Sequence, residues 1–241
     1  MFPKEVIEKK EILRNYLKDL WIDVAKVKDE DLMIQAFIHK SFAKDFPKKR
    51  IPHNERLEFV WDAVLWWIIA ELLYKDHPDL EESQLTLYKI ALVKEETLAD
   101  VARNINLGDV IFLWRGEEKT WWRDKDTILA DSLEALIGYL FLDLWAEEAE
   151  SFVKKYIYSM LDEIKKRPIK PYKSLLQEKV QKLYKVVPEY KDYEWEKDEK
   201  WNVILYKSEV FVLGEKKGEW FWPNKKKAQE EAAKNAYDNW S

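Results

Sequence analysis

Three carboxylates stand in the stretch HNERLEFVWDAVLWWIIAELLY: Glu55, Glu58 and Asp62, at i, i+3 and i+7. A helix turns once every 3.6 residues, so this spacing projects all three from one face. A second pair, Asp131 and Glu134 in ILADSLEALIGYLFLD, stands at i and i+3. Both sets lie among apolar residues, Leu57, Phe59, Val60, Ala63 and Val64 in the first and Leu133, Ala135, Leu136 and Ile137 in the second. Carboxylates held beside a core are costly unless something pairs with them. A hard divalent cation with oxygen ligands is the natural partner. For either set alone, solvent-facing acids on an ordinary amphipathic helix are the alternative. A di-iron bundle would need Glu-x-x-His on facing helices, and His39, His53 and His77 are not at that spacing from these acids.

The elements that must carry these acids fall into two regions. Apolar residues recur at helical spacing in LMIQAFIHKSF, LEFVWDAVLWWIIAELLY, LYKIALVKEETLADVARNI and TILADSLEALIGYLFLD, which predicts a mostly helical region up to residue 166. The following KKRPIKPYKS holds Pro168 and Pro171, which stop a helix and stiffen a connector, here placed at 167–172. From 173 to 241 the order changes. SLLQEKVQKLYK reads as an amphipathic helix opened by Ser174 as N-cap. Alternating aromatic and β-branched residues then predict three strands. NKKKAQEEAAKNAYDN closes as an Ala-rich helix capped by Asn224. The expected fold is an all-α domain followed by a small α-β-β-β-α domain.

Composition bounds the chemistry. With no cysteine in 241 residues, a disulfide framework, a thiolate zinc site and a cysteine nucleophile are excluded, and a reducing cytoplasm is compatible. The charged N-terminus lacks the apolar core of a signal peptide. The longest apolar run, Ala63 to Ala70, is far short of the roughly 20 residues of a membrane span. The net charge is −5, yet the chain from Ile169 onward holds 15 Lys plus Arg against 13 acids. An acidic body with a mildly basic tail can hold nucleic acid where cations neutralise the acids.

Taken together, the motifs resemble the ribonuclease III family. HNERLEFVWDAVL is similar to that family's Asn-Glu-(Arg or Lys)-Leu-Glu-Phe-Leu-Gly-Asp-Ala block, and ILADSLEALIGYLFLD to its second acidic block. AFIHKSFA resembles its early His-(Arg or Lys)-Ser element, and RGEEKTWWRDKDTILAD its Gly-Glu-x-x-(Ser or Thr)-Gly-Gly-Arg stretch. SLLQEKVQ and NKKKAQEEAA resemble the first and last helices of a double-stranded-RNA-binding domain. The likeness runs in order along nearly the whole chain.

The resemblance implies a homodimeric, Mg²⁺-dependent endoribonuclease of double-stranded RNA, with Mn²⁺ as a substitute, leaving 5′-phosphates and short 3′ overhangs. Such an enzyme would process ribosomal precursors and structured messages in the cytoplasm. Glu58, Asp62, Asp131 and Glu134 would be metal ligands, with Asp62 and Glu134 central to catalysis, and Glu55 and Glu82 further acids of the cleft. Ser174, Gln177, Glu178 and Gln181 would line a minor groove, and Lys225 and Lys226 would meet phosphates. The loop between the first two strands, EKDEKWNV, lacks the family's Gly-Pro-x-His-like element, which weakens that contact. The alternative is a non-catalytic dimer that binds double-stranded RNA.

One feature fits no ordinary member. The chain has 13 Trp and 5 Gly, where average usage gives roughly 17 Gly in this length. Trp61, Trp114, Trp121, Trp122, Trp145, Trp201, Trp220 and Trp222 stand where the resemblance places glycine. Glycine serves such places because it lacks a Cβ. The tryptophans are tolerated aromatics, stacking platforms for bases, or UGA codons for glycine read as tryptophan.

Overall fold

The longest helix, Glu55–Asp76, is apolar almost all round, and its two faces have different fates. Leu57, Trp61, Leu65, Ile68, Leu72 and Leu73 are buried, while Phe59, Trp66 and Trp67 are exposed. A helix with a second apolar face has more to cover than one domain core supplies. The computed structural model describes residues 2–114, 122–166 and 170–240, without the side chains of Asp62 and Trp122.

The chain divides into two compact units, Met1–Lys166 and Arg167–Ser241. In chain order the first unit contains α1 (Lys4–Glu8), α2 (Lys10–Asp19), α3 (Glu30–Ala36), α4 (Glu55–Asp76), α5 (Glu82–Val93) and α6 (Glu95–Asn104). It continues with α7 (Asp126–Leu144), α8 (Ala146–Tyr156) and α9 (Leu161–Lys165). Helix α7 is central, with Ile128, Leu129, Leu133, Leu136, Ile137, Tyr139 and Leu140 buried. It crosses α4 closely because residue 138 is glycine: a Cβ there would stand 2.4 Å from the Leu57 carbonyl oxygen. Near its end the buried Asp143 accepts hydrogen bonds from the backbone N–H of Lys28 (3.2 Å) and Asp29 (3.0 Å), fixing the entry to α3.

The helical pattern expected through residue 42 stops at Ala36. Ile38 and His39 instead run beside Phe112, with Phe112 N–H donating to the Phe37 carbonyl (2.8 Å) and His39 N–H to the Phe112 carbonyl (3.1 Å). A short 3₁₀ turn, Lys40–Asp45, follows.

The second unit contains α10 (Tyr172–Tyr184), β1 (Glu189–Lys197), β2 (Val203–Val212), β3 (Glu215–Trp222) and α11 (Lys225–Asp238). The strands form one antiparallel sheet in the order β1-β2-β3, and the all-α then α-β-β-β-α order matches the expectation. Leu176, Val180, Val210, Val212, Ala233 and Ala236 form its core. Gly218 in β3 admits α11, since a Cβ there would lie 2.5 Å from the Ala232 carbonyl oxygen and 2.7 Å from Ala236 N. Asn224 caps α11 as expected, accepting from Lys226 N–H (2.9 Å) and Lys227 N–H (3.2 Å). The expected Ser174 cap is corrected: α10 starts three residues earlier, with Pro171 as N-cap and Ser174 inside the first turn. The Glu230 carboxylate of α11 accepts from Tyr172 and Lys173 N–H instead. A carboxylate arriving from a neighbouring helix thus satisfies orphan N–H groups at the observed start of α10.

Candidate active site

Helix α4 is pinned at its start. Asn54, buried, donates its N–H to the Ile38 carbonyl (2.8 Å), and its own carbonyl accepts from Leu57 N–H (2.8 Å) and Glu58 N–H (3.0 Å). Glu58 therefore leaves from the first turn of α4, close to the Leu57–Gly138 crossing. Glu134 lies one turn before Gly138 on α7, and Asp131 one turn earlier again. The result is a cluster: Glu58, Asp131 and Glu134, each half-buried, offer carboxylate oxygens that all lie within 4.8 Å of one another. Asp62 lies in α4 one turn beyond Glu58, and its side chain is outside the described residues.

Burial raises the Asp131 carboxyl above the usual carboxylate range, while the Lys40 ammonium works in the opposite direction. Like charges this close resist joint ionisation, so the donor set calls for positive charge. Lys40 brings some: its Nζ donates to Glu55 Oε1 at 2.9 Å. That bond, with Asp131 and Glu58 nearby, raises the Lys40 ammonium, and it holds the Glu55 carboxyl below its ordinary value. His53 Nδ1 lies 3.6 Å from Glu55 Oε2, too long for a hydrogen bond. Lys40 carries no periodic signal in AFIHKSFA, and its partner is 15 residues away. The backbone pairing of residues 37–39 with Phe112 delivers it.

Glu55, Glu58 and Glu134 line an open cleft of about 1190 Å³ together with Trp61, Trp66 and Phe141. Trp61 is buried, and its indole N–H has no hydrogen-bond partner among the described residues. A buried donor left so costs about 1–3 kcal/mol. Glu82 is not brought into the cluster. It opens α5, exposed, and its Oε1 accepts from Thr86 Oγ at 3.0 Å.

In the second unit Gln177, Glu178 and Gln181 are exposed and Ser174 half-buried along α10, on the side away from the buried Leu176 and Val180. Glu178 Oε1 accepts from Lys170 Nζ at 2.6 Å. Lys225 and Lys226 are exposed at the start of α11, and Lys225 Nζ lies 3.3 Å from Asp192 Oδ2. Residues 115–121, which hold most of the RGEEKTWW stretch and Trp121, lie outside the described residues. No helix among the described residues is long and apolar enough to cross a membrane.

A family model described as Ribonuclease-III-like matches residues 29–161. Ribonuclease 3 of Borreliella burgdorferi is 40% identical over 236 residues, covering 95% of this chain and 91% of that protein. Ribonuclease 3 of Streptococcus sanguinis is 37% identical over 216 residues, covering 87% of this chain and 90% of that protein. Among solved structures, the nuclease domain of ribonuclease III from Campylobacter jejuni is similar with a TM-score of 0.53 at 35% identity, over 60% of this chain and 94% of that domain. That structure is described as showing flexibility in a region involved in dimer formation.

Proposed function

The chain belongs to the ribonuclease III family, and from that premise we propose how its own residues cut double-stranded RNA. It is an endoribonuclease that hydrolyses phosphodiester bonds. The observation that carries the site is the convergence of Glu58, Asp131 and Glu134 oxygens within 4.8 Å. Half-buried carboxylates that cannot comfortably all ionise suit a hard, oxygen-loving cation. With Asp62 they are assigned as ligands of Mg²⁺, or of Mn²⁺ in its place. Such an ion, when bound, supplies a nucleophilic water near neutral pH and charge for the departing 3′ oxygen.

The remaining roles belong to the chain itself. Glu134 and Asp62 position the donor set on opposite helices, and Lys40 holds Glu55 at the cleft edge. Glu82 is assigned to the outer part of the cleft and not to the cluster. Residues 1–166 form the nuclease domain, 167–172 the linker and 173–241 the RNA-binding domain. Ser174, Gln177, Glu178 and Gln181 face a minor groove and its 2′-hydroxyls, and Lys225 and Lys226 meet phosphates. The partner is a second copy of this chain. Phe59, 83% exposed, with Trp66 and Trp67 presents an apolar face beside the acids that such a copy would cover. Two sites then cut two strands, leaving 5′-phosphates and short 3′ overhangs on ribosomal precursors and structured messages in the cytoplasm.

The test is cleavage of a long RNA duplex with Mg²⁺, with chelator, and by Glu134→Gln. Loss of a metal ligand is expected to lower the rate by at least about 100-fold, beyond the roughly 10–100-fold that losing a ligand's hydrogen-bond partner costs. Binding of the duplex without cleavage under any metal would replace this reading with the non-catalytic RNA-binding dimer.

A further inference from the structure

Three tryptophans occupy backbone conformations that L side chains rarely adopt. Trp21 has φ 66°, Trp145 φ 76° and Trp201 φ 63°. They make up half of the six non-glycine residues at positive φ among those described, although tryptophan is only 13 of the 241 residues. Each sits in a motif whose geometry demands that conformation.

Trp21 ends α2. Its N–H donates to the Lys18 carbonyl (2.8 Å) and Ile22 N–H to the Leu17 carbonyl (3.0 Å), the paired bonds of a Schellman cap whose left-handed residue is usually glycine. Ile22 and Leu17 are both buried, completing the apolar contact of that motif. Trp201 closes the β1–β2 hairpin: its N–H donates to the Asp198 carbonyl (3.0 Å), and Asp198 N–H donates to the Asn202 carbonyl (2.9 Å). That is a turn followed by a left-handed residue, the position glycine fills in three-residue hairpins. Trp145 joins α7 to α8 at φ 76° and ψ 171°, a region populated essentially by glycine alone.

The indoles gain only a weak surface cation–π contact each. Trp21 is 83%, Trp201 80% and Trp145 67% exposed. Each has a lysine over its ring, Lys155 at 5.0 Å, Lys197 at 5.8 Å and Lys28 at 4.5 Å respectively. A platform for stacking bases needs an exposed ring and has no need of a left-handed backbone.

We propose that residues 21, 145 and 201 are glycine in the functional protein, encoded by a codon read here as tryptophan, and that the same replacement at 61 clears the cleft beside Glu58 and Glu134. The codon is the UGA triplet, which specifies tryptophan in some genetic codes and glycine in others. The backbone at 21, 145 and 201 carries the first part by itself. Only the part concerning 61 rests on the nuclease reading.

The test has four readouts. The codons come first: UGA at 21, 61, 145 and 201 supports the proposal, and UGG at 21, 145 or 201 overturns it. The masses of peptides from the protein purified from its own organism come second, glycine-containing peptides being expected and tryptophan-containing ones overturning the idea. Third, thermal unfolding is compared for the chain as written, the triple variant Trp21→Gly/Trp145→Gly/Trp201→Gly, and the matching triple alanine variant. The glycine variant is expected to gain about 2–4 °C per position relieved, and the alanine variant much less because its Cβ remains. Equal gains would mean that loss of exposed indole, and not backbone conformation, is responsible, and would sink the argument. Position 61 is read by Mg²⁺-dependent cleavage of an RNA duplex, because glycine inside a helix costs stability even where it opens a cleft. Trp61→Gly added to the triple variant is expected to raise the cleavage rate about 10-fold or more, as relief of a blocking group worth about 1.4 kcal/mol would. No gain, in a variant that folds and binds duplex RNA, removes position 61 from the proposal. Failure of all forms to cut, with glycine confirmed by codon and mass, would count against the nuclease reading alone.

Discussion

In the first unit Gly138 lets α7 lie against α4 at Leu57, and in the second Gly218 lets α11 lie against β3 at Ala232 and Ala236. The device is the same, a missing Cβ where two backbones meet, but its consequences differ. At Gly138 the approach brings together side chains on the two helices, Glu58 from one and Glu134 from the other. At Gly218 it closes a small core of one leucine, valines and alanines that holds α10 and α11 in place. One glycine sets distances between reactive groups, and the other sets the existence of a folded surface. A large core can absorb a shifted helix at some cost in order, whereas a core this small has little else to hold it.

Gly138→Ala is expected to have the largest effect. The new Cβ meets backbone, and overpacking of that kind costs about 1–3 kcal/mol or more. Denaturant unfolding should show that loss. Cleavage should fall further than the folded fraction does, because the acids are spread apart. If the folded variant cuts at the full rate, the crossing does not set the spacing of the acids.

Gly218→Ala sharpens the contrast. A similar cost falls on a unit with fewer buried residues, so duplex binding measured by gel shift should be lost while circular dichroism keeps the helical signal of the first unit. Equal loss of both units would deny that they differ in reserve. A smaller effect is expected from Lys225→Ala with Lys226→Ala. The slope of log binding constant against log salt should drop by roughly one per lysine, with the unfolding midpoint unchanged.

The smallest effect concerns acid. Lys207 first, then Lys216, holds the Glu219 carboxyl down to about 2, and the same lysines lower Glu209. A depressed carboxylate contributes stability in full above its unfolded value, near 4.5, and loses it as pH falls toward 2. The groups are partly exposed, so salt should weaken the effect. Melting of the second unit between pH 5 and 2 should therefore flatten in Lys207→Met, with the midpoints compared at low and high salt.

What could be read from the chain followed the range of each signal. The acids of α4 and α7 announce themselves through i, i+3 spacing within one helix, and the alternation of the strands and the Asn224 cap are equally local. Gly138 gives no such sign, since its need is a contact with Leu57, 81 positions away in sequence. Lys40 is silent for the same reason. Ser174 misled because its local chemistry was right for a cap, and a carboxylate from α11 supplied that function from outside the helix. The tryptophans were legible as an anomaly of composition, and Trp21 was recognisable only once its backbone was seen.

The bond from Glu230 to the first turn of α10 also bears on the order of events during synthesis. Helix α10 is made well before residue 230 has left the ribosome, and until then its leading N–H groups lack their acceptor. The first unit, by contrast, has all of its residues available before α10 emerges. Domains generally fold as units from the N-terminal side as they are made. The nascent chain therefore has its cutting machinery assembled before it can grip a duplex, and the RNA-binding surface forms only once the last helix has joined the first.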